Sequence, residues 1–593
     1  MKKVNIRLAL SSLLLVSLLL TSCKEWDDHY EAETAVEGSA TATLWENISA
    51  NANLSQFATL VKKAGYEDFL KATQTLTVWA PLNGTFDYDA LLEEGNEKLL
   101  KEFVQNHIAR NNYPASGRVE KNIFMLNKKR LLFEGNGNYT MDGIEVAQPN
   151  VASSNGVIHT ISGKLQFRYN ILESLKADEF PIDSISDYIH SYDEMWFNEA
   201  KSVQGPVVDG QLTYLDSVFT EYNAQTAYHN AFINVEDSNY TMIVPSNKAW
   251  EKAMNYIRKC YNYAKFSYVD VTTSEQKKTD EELIPDAATA AYWQDSISHN
   301  KLLTGLFYNN NLYDNKKLKN LRNGELPEAD SLMTTYFDRI YKEDARNLFT
   351  GTTRSEKSNG AIHVTDDSLR MAPWLIWNPI INIETETTNN QGTVNAGSLT
   401  SYWIGQSNVY QNPRVQGSVS SSGYAVISPS MSSGNPGFNV KLNNVRSTTY
   451  VIYCVFVPAH IQNAYIPEES LQPNNVQVQI GFCKADGTLP TRATTLGTFE
   501  TFKNKDFNSE EEVSEDNPAY FFNKLDTVCF GEVTFPVCYY GMTGYPYLNI
   551  QSRAERRKHD NTLRIDRVFL VPKELDDYMK EHPGYTPYYF RYS

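Results

Sequence analysis

A chain of 593 residues exceeds what one hydrophobic core organises, and at ~150 residues per domain it divides into roughly three or four folded units. With 41% hydrophobic and 21% charged residues, among them 37 Tyr, 27 Phe and 9 Trp, it holds enough apolar surface to fold along most of its length, which excludes a disordered chain. The formal charge of −17 argues against nucleic acid and anionic lipid surfaces as partners, because both are recognised by clustered Lys and Arg.

At the N-terminus, Lys2, Lys3 and Arg7 precede an apolar run from Leu8 to Leu20. The run is too short to cross ~30 Å of hydrocarbon and polar sequence follows it, so it reads as a removable secretion signal. Its ending, Leu20-Thr21-Ser22-Cys23, resembles the bacterial lipobox. That resemblance implies removal of residues 1–22, lipidation of Cys23, and attachment to the outer membrane through its acyl chains, each buried CH₂ worth ~0.8 kcal/mol. Residues 23–40 form a flexible tether opening with Lys24-Glu25-Trp26-Asp27-Asp28-His29. This acidic cluster resembles the signal that sends lipoproteins to the cell exterior, the plainer alternative being a solvated linker.

Next come helix-like apolar spacings over Leu44–Ala72, with Gly65 as a break, and over Ile171–Val203. Each leads into a motif that recurs. LTVWAPLNGTF (Leu76–Phe86) and YTMIVPSNKAW (Tyr240–Trp250) share an apolar strand, a Pro that ends it, and an Asn. Asn83, Ser246 or Asn247 can cap the helix that follows. NGVIHTISGKL (Asn155–Leu165) and NGAIHVTDDSL (Asn359–Leu369) share an Asn-Gly turn, read as a pair of positive-φ residues, and a short apolar strand with a histidine, His159 or His363. A histidine so placed holds a backbone carbonyl more readily than it serves chemistry.

These pairs resemble the fasciclin-1 (FAS1) domain, whose first segment runs strand, Ala-Pro-Thr-Asn, helix, and whose second centres on Asn-Gly-Val-Ile-His. The family's Tyr-His segment is matched by Asn106-His107 in the first copy and only loosely, without the histidine, by Leu302–Tyr308 in the second. Leu82 and Ser246 stand where the family has Thr, which puts any role of that hydroxyl in doubt for the first copy. The resemblance spans residues 41–167 and 170–370 and implies two compact α/β wedges used in adhesion and extracellular binding. The second copy carries about 40 extra residues between its motifs, placed at Tyr256–Thr289.

From about Met371 to Ser593 the texture is that of an all-β sandwich of jelly-roll type. Tyr450–Val457 is a continuous apolar run, Val476–Phe482 alternates, and the Ser/Gly-rich stretch Ser418–Gly437 reads as turns. LRIDRVFLVP, an acid within a strand and a closing Pro, resembles the last strand of galactose-binding-like sandwiches, which implies a ligand held by loops or an open sheet face. Sugar recognition needs flat aromatic faces, and Trp374, Trp377, Tyr402 and Trp403 are the candidate ligand-binding aromatics. The competing reading is that Trp374 and Trp377 pack one domain on another and that the aromatic tail, from Tyr578 to Tyr592, docks as a staple.

No nucleophile elbow, phosphate loop or zinc signature occurs, the ten His are dispersed, and paired carboxylates such as Glu384/Glu386 lie in polar runs. No catalytic residue, metal or cofactor is expected. Apart from Cys23 the thiols (Cys260, Cys454, Cys483, Cys529, Cys538) are odd in number, and buried free thiols are the default, with one disulfide as the alternative in an oxidising compartment. The expected whole is a multidomain protein, two α/β FAS1 wedges followed by the sandwich. Its expected role is a lipid-anchored binding protein, either an accessory glycan-binding lipoprotein of a TonB-type importer or an adhesin for host matrix or neighbouring cells.

Overall fold

The computed structural model describes residues 41–587 apart from 178–179, 209, 265–266, 271–276, 283, 285, 313–314, 316–320, 325, 327–330, 386–393, 396–399, 407–414, 421–422, 430–433, 462–464, 489, 491, 507–517 and 543–545. Cys23, the tether and the last six residues lie outside it.

In the first unit, β1 (Leu76–Pro81), β2 (Ile108–Arg110), β3 (Arg118–Phe124), β4 (Arg130–Asn136), β5 (Asn138–Met141), β6 (Ile144–Ser153) and β7 (Gly156–Ile161) form one sheet in the order β2-β1-β7-β6-β5-β4-β3. Only β1 and β7 run parallel. A bridge from Ala109 to Met125 brings the far end back to β2, so the sheet curls on itself. Strand β1 is buried along its whole length because it has two cores to serve. Leu76, Val78 and Ala80 pack with Leu44, Phe57 and Leu60 of the helices outside, while Trp79 packs with Phe133, Met141 and Ile161 inside the curl. Gly156 stands at φ +153°, where a Cβ would lie 1.9 Å from the Leu76 carbonyl oxygen, so the parallel pair closes only over glycine.

The second unit repeats this frame. Strands β8 (Tyr240–Val244), β9 (Phe307–Asn309), β10 (Thr352–Lys357) and β11 (Gly360–Thr365) lie in the order β9-β8-β11-β10. Register makes the copies superimposable residue by residue: Val78 faces Ile108 and Ile158, and Met242 faces Phe307 and Ile362. Gly360 repeats Gly156, at φ +150° and 1.9 Å from the Tyr240 carbonyl oxygen. From Val78 to Ile108 is 30 positions and from Met242 to Phe307 is 65, so the second unit has 35 more residues between these two strands.

The C-terminal region is a two-sheet sandwich of antiparallel pairs. One sheet contains β12 (Ile381–Glu384), β13 (Thr400–Gln406), β14 (Gly423–Pro429), β16 (Thr449–Phe456), β19 (Asp526–Thr534) and β21 (Leu563–Pro572). The other contains the short strand Val394–Asn395, β15 (Gly437–Lys441), β17 (Asn475–Gly481), β18 (Thr494–Glu500) and β20 (Tyr547–Ser552). Ser418–Gly437 is therefore not all turn: β14 lies inside it. Its Tyr424, Ala425, Val426 and Ile427 are buried on both faces, so an apolar central strand runs between the Ser- and Gly-rich ends.

The helical reading of Ile171–Val203 holds only for Ile171–Ser174 and Asp183–His190. Beyond them the chain leaves the unit as a long β-hairpin, in which Asp193–Phe197 pairs with Phe219–Asn223 and Val203–Val208 with Gln211–Asp216. All five described cysteines are free, and Cys529 is exposed rather than buried.

Candidate functional site

The polar residues that recur in the two repeats hold the frame. Asn155 accepts a hydrogen bond from the Leu44 N–H at 2.8 Å and donates to the Leu70 and Ala72 carbonyls. Asn359 does the same with the Ile171 N–H (2.9 Å) and the Ile233 and Val235 carbonyls. Neither Asn has positive φ; only the glycine after each does, and the Asn acts through its side chain. Nor does Asn83 cap the helix ahead of it. It accepts from the Gln56 N–H behind it, as Asn247 accepts from Ser184, while Asp87 and Ser246 cap the following helices.

His159 donates from Nε2 to the Tyr113 carbonyl at 2.9 Å, accepts at Nδ1 from the Asn150 N–H, and stacks on Trp79. Burial drives its pKa down to about 4, so the ring is neutral. His363 reaches the Arg322 carbonyl at 2.9 Å in the matching place. His107 is also pushed to about 4 by burial, bridging the Phe103 carbonyl and the Leu165 N–H. These histidines are braces.

Trp374 and Trp377 do not form a ligand face. Trp377 is 4% exposed and its carbonyl accepts from Tyr261; Trp374 packs on Tyr578 and Tyr585 and donates to the Tyr585 hydroxyl at 2.7 Å. Both fasten the second unit to the sandwich. Tyr402 and Trp403 lie on β13, the outer strand of its sheet, in register with Ile427 and Val426; their side chains lie outside the description.

In the sandwich, Asp566 sits within β21 as the sequence placed it and is 1% exposed. Ser420 joins it to Glu384, its N–H donating to Asp566 at 3.1 Å and its hydroxyl to Glu384. Burial, opposed by Arg567 and reinforced by the Glu384 charge, pushes the Asp566 carboxyl up to about 7. Among the described residues no group of three or more His, Cys, Asp or Glu is arranged to hold a metal, and no helix is long and apolar enough to cross a membrane.

The first and second units meet through ions. Lys129, buried, contacts Glu173 at 2.5 Å and Glu236 at 2.7 Å, and Arg130 meets Asp237 at 2.5 Å. Burial works to raise the Glu173 carboxyl, but Lys129 and Lys101 outweigh it and hold the group below its ordinary value. Clefts of about 320 and 360 Å³ flank the connecting segment 166–169.

Residues 52–166 match the family model of the fasciclin domain. Over those residues the first unit is a fasciclin domain. No curated protein matches the chain. Among solved structures, a FAS1 domain pair from the insect cell adhesion molecule fasciclin I is similar at 15% identity and TM-score 0.19, over 55% of this chain and 99% of that one. A xylan-binding domain from CBM 22 is similar at 12% identity and TM-score 0.18, over 32% of this chain and 92% of that one. A family 35 carbohydrate binding module from Clostridium thermocellum is similar at 8% identity and TM-score 0.14, over 29% and 98%.

What the sequence missed is the hairpin of residues 193–223, which carries the largest group of exposed aromatic side chains. Two signals could have found it. The capping box Thr43/Glu46 lies 38 positions before Pro81, whereas its counterpart Asn170/Glu173 lies 75 before Pro245. Asp209-Gly210 between alternating strands is itself a strong hairpin signal.

Proposed function

We propose that this chain is a lipid-anchored, surface-displayed binding protein, in which two fasciclin-type units carry a jelly-roll sandwich that meets a neutral glycan. Residues 1–22 would be removed and Cys23 acylated, and the protein would serve as an accessory to a TonB-type importer of the outer membrane. The observation that carries the binding role is the fasciclin match over residues 52–166, with the same strand register repeated in the second unit. The glycan reading rests on Tyr402 and Trp403, the two candidate aromatics carried by the edge strand β13.

A truncation after Arg370 would cut a core that the second unit shares with the sandwich, so point variants are the test. Native gel electrophoresis in neutral polysaccharides should retard the mature chain and release Trp403→Ala, with at least a tenfold weaker affinity. Equal retardation of the two proteins, or none of either, would sink the glycan reading. The adhesin reading is favoured by the fasciclin domain alone, and it expects Trp403→Ala to keep full adhesion to protein-coated surfaces. Lipidation has its own check: Cys23→Ser should abolish palmitate labelling and release the chain from membranes.

A further inference from the structure

Of the sixteen large hydrophobic side chains exposed among the described residues, eight fall between Tyr192 and Tyr222. Scattered single exposures are ordinary, but a contiguous exposed apolar surface marks an interaction site. Here the surface is built on purpose. The base of the hairpin is fixed by Asp193, which accepts from His190 at 2.6 Å, Lys176 at 3.1 Å and Asn223 at 2.8 Å. Partway along, Lys128 of the fasciclin domain donates to the Phe219 carbonyl at 2.7 Å, and Val203 leans on that domain's helical core.

Register assigns the faces. Trp196 lies opposite Thr220 and Glu194 opposite Tyr222, so these four share one face, where Trp196 stacks on Tyr222 at 5.5 Å. Met195 lies opposite Glu221 and Phe197 opposite Phe219, and these share the other face, where Phe197 meets Phe219 edge-on at 5.5 Å. Trp196 and Met195, on opposite faces, are each 57% exposed. A ribbon that is apolar on both faces is satisfied only by something that covers both.

We propose that this hairpin is a docking arm for a protein whose apolar groove is rimmed by Lys and Arg. Residues 193–223 hold six carboxylates and one base, Lys201, so a basic rim complements them. The same charge repels a second copy of the arm and an anionic bilayer surface. A polysaccharide lying along the aromatics would cover one face and leave the other wet. The proposal stands apart from the sandwich and from the ligand it takes.

The test places a photo-crosslinking phenylalanine at Trp196 on one face, Phe219 on the other, or Tyr292, exposed on the helix Ala287–Thr304, as control, in the full chain displayed on its own cells. The expected result is one and the same protein captured from Trp196 and Phe219 but not from Tyr292, with the yield lowered at least tenfold by Glu194→Lys with Glu221→Lys. The purified chain should remain monomeric by sedimentation, and its melting should be unchanged in the charge-reversed variant, since both side chains are solvent-facing. A product equal at Tyr292, a product containing a second copy, no product, different products from the two faces, or a yield indifferent to charge reversal would each overturn the proposal. So would retardation in a neutral polysaccharide gel that Trp196→Ala abolishes, which would make the arm a sugar platform.

Discussion

Between the fasciclin domain and the second unit, Lys129 is buried against Glu173 and Glu236, and Arg130 pairs with Asp237. Between the second unit and the sandwich the same task falls to aromatic and backbone groups. Tyr261 donates to the Trp377 carbonyl, Lys301 lies over the Tyr540 ring at 4.8 Å, and Ser447 and Cys538 donate backbone N–H groups to the Cys260 and Asn262 carbonyls. The consequence is visible in the cores. The buried residues of the fasciclin domain's two clusters all belong to that domain, with only Val203 packed on one of them from outside, whereas one continuous cluster runs from Ile171 through Trp377 to Leu570. An ionic joint positions two bodies that fold separately; a shared apolar core makes two bodies fold as one.

Emptying the dry joint should do most damage. Trp377→Ala removes a large buried side chain and should cost about 3–5 kcal/mol. Scanning calorimetry should show the second unit and the sandwich losing stability together while the fasciclin transition stays in place. Separate transitions for the second unit and the sandwich in the wild type would refute the shared core.

Acid should act on the other side of the comparison. His107 and His159 of the fasciclin domain both have folded pKa values lowered to about 4 by burial. A histidine with a depressed pKa takes up its proton in the unfolded chain first, so stability is full above about 6.5 and falls as the pH drops toward 4. Each such group gives a loss of about 3 kcal/mol over that range, about 6 kcal/mol for the two. His107→Gln should flatten roughly half of the slope in the fasciclin transition.

Breaking the ionic joint comes next. Lys129→Met leaves the buried Glu236 without its cation and Glu173 with only the more exposed Lys101 at 3.1 Å, at a cost of about 3 kcal/mol. The loss should appear as freer motion between the units in small-angle scattering and as faster proteolysis of segment 166–169, with the sandwich unaffected. High salt should not mimic it, because the lysine is buried.

The frame of the repeats was legible in the sequence because it is local: a Pro that ends a strand and a Gly that alone fits beneath a carbonyl leave their names in the chain. What the sequence could not say is which way a side chain reaches. Asn83 and Asn247 look like forward caps and point backward, because the chain turns after Pro81 and Pro245 to face a helix laid down earlier. Trp374 and Trp377 carry the composition of a sugar face and are spent on the junction, a contact made with residues up to 211 positions away. The docking hairpin escaped because its aromatic residues follow a helix and continue its apolar rhythm past His190.

The smallest effect expected is the most specific to the sandwich. Asp566, with a folded pKa raised to about 7 by burial against an ordinary 3.8, binds its proton in the folded state first. Its contribution therefore grows as the pH falls from above 7 toward 4, the reverse of the histidines. The shared core also holds His229, His299 and His363, all with lowered pKa values, so its overall slope mixes both signs. The clean readout is the difference between wild type and Asp566→Asn. The variant should be the more stable at pH 8, where it escapes the cost of a buried charge, and should lose that advantage by about 1 kcal/mol per pH unit on descending to pH 5. A difference constant with pH would mean that Asp566 stays ionised beside Arg567. The fasciclin transition serves as the internal control, because a joint made of ions passes none of this change across.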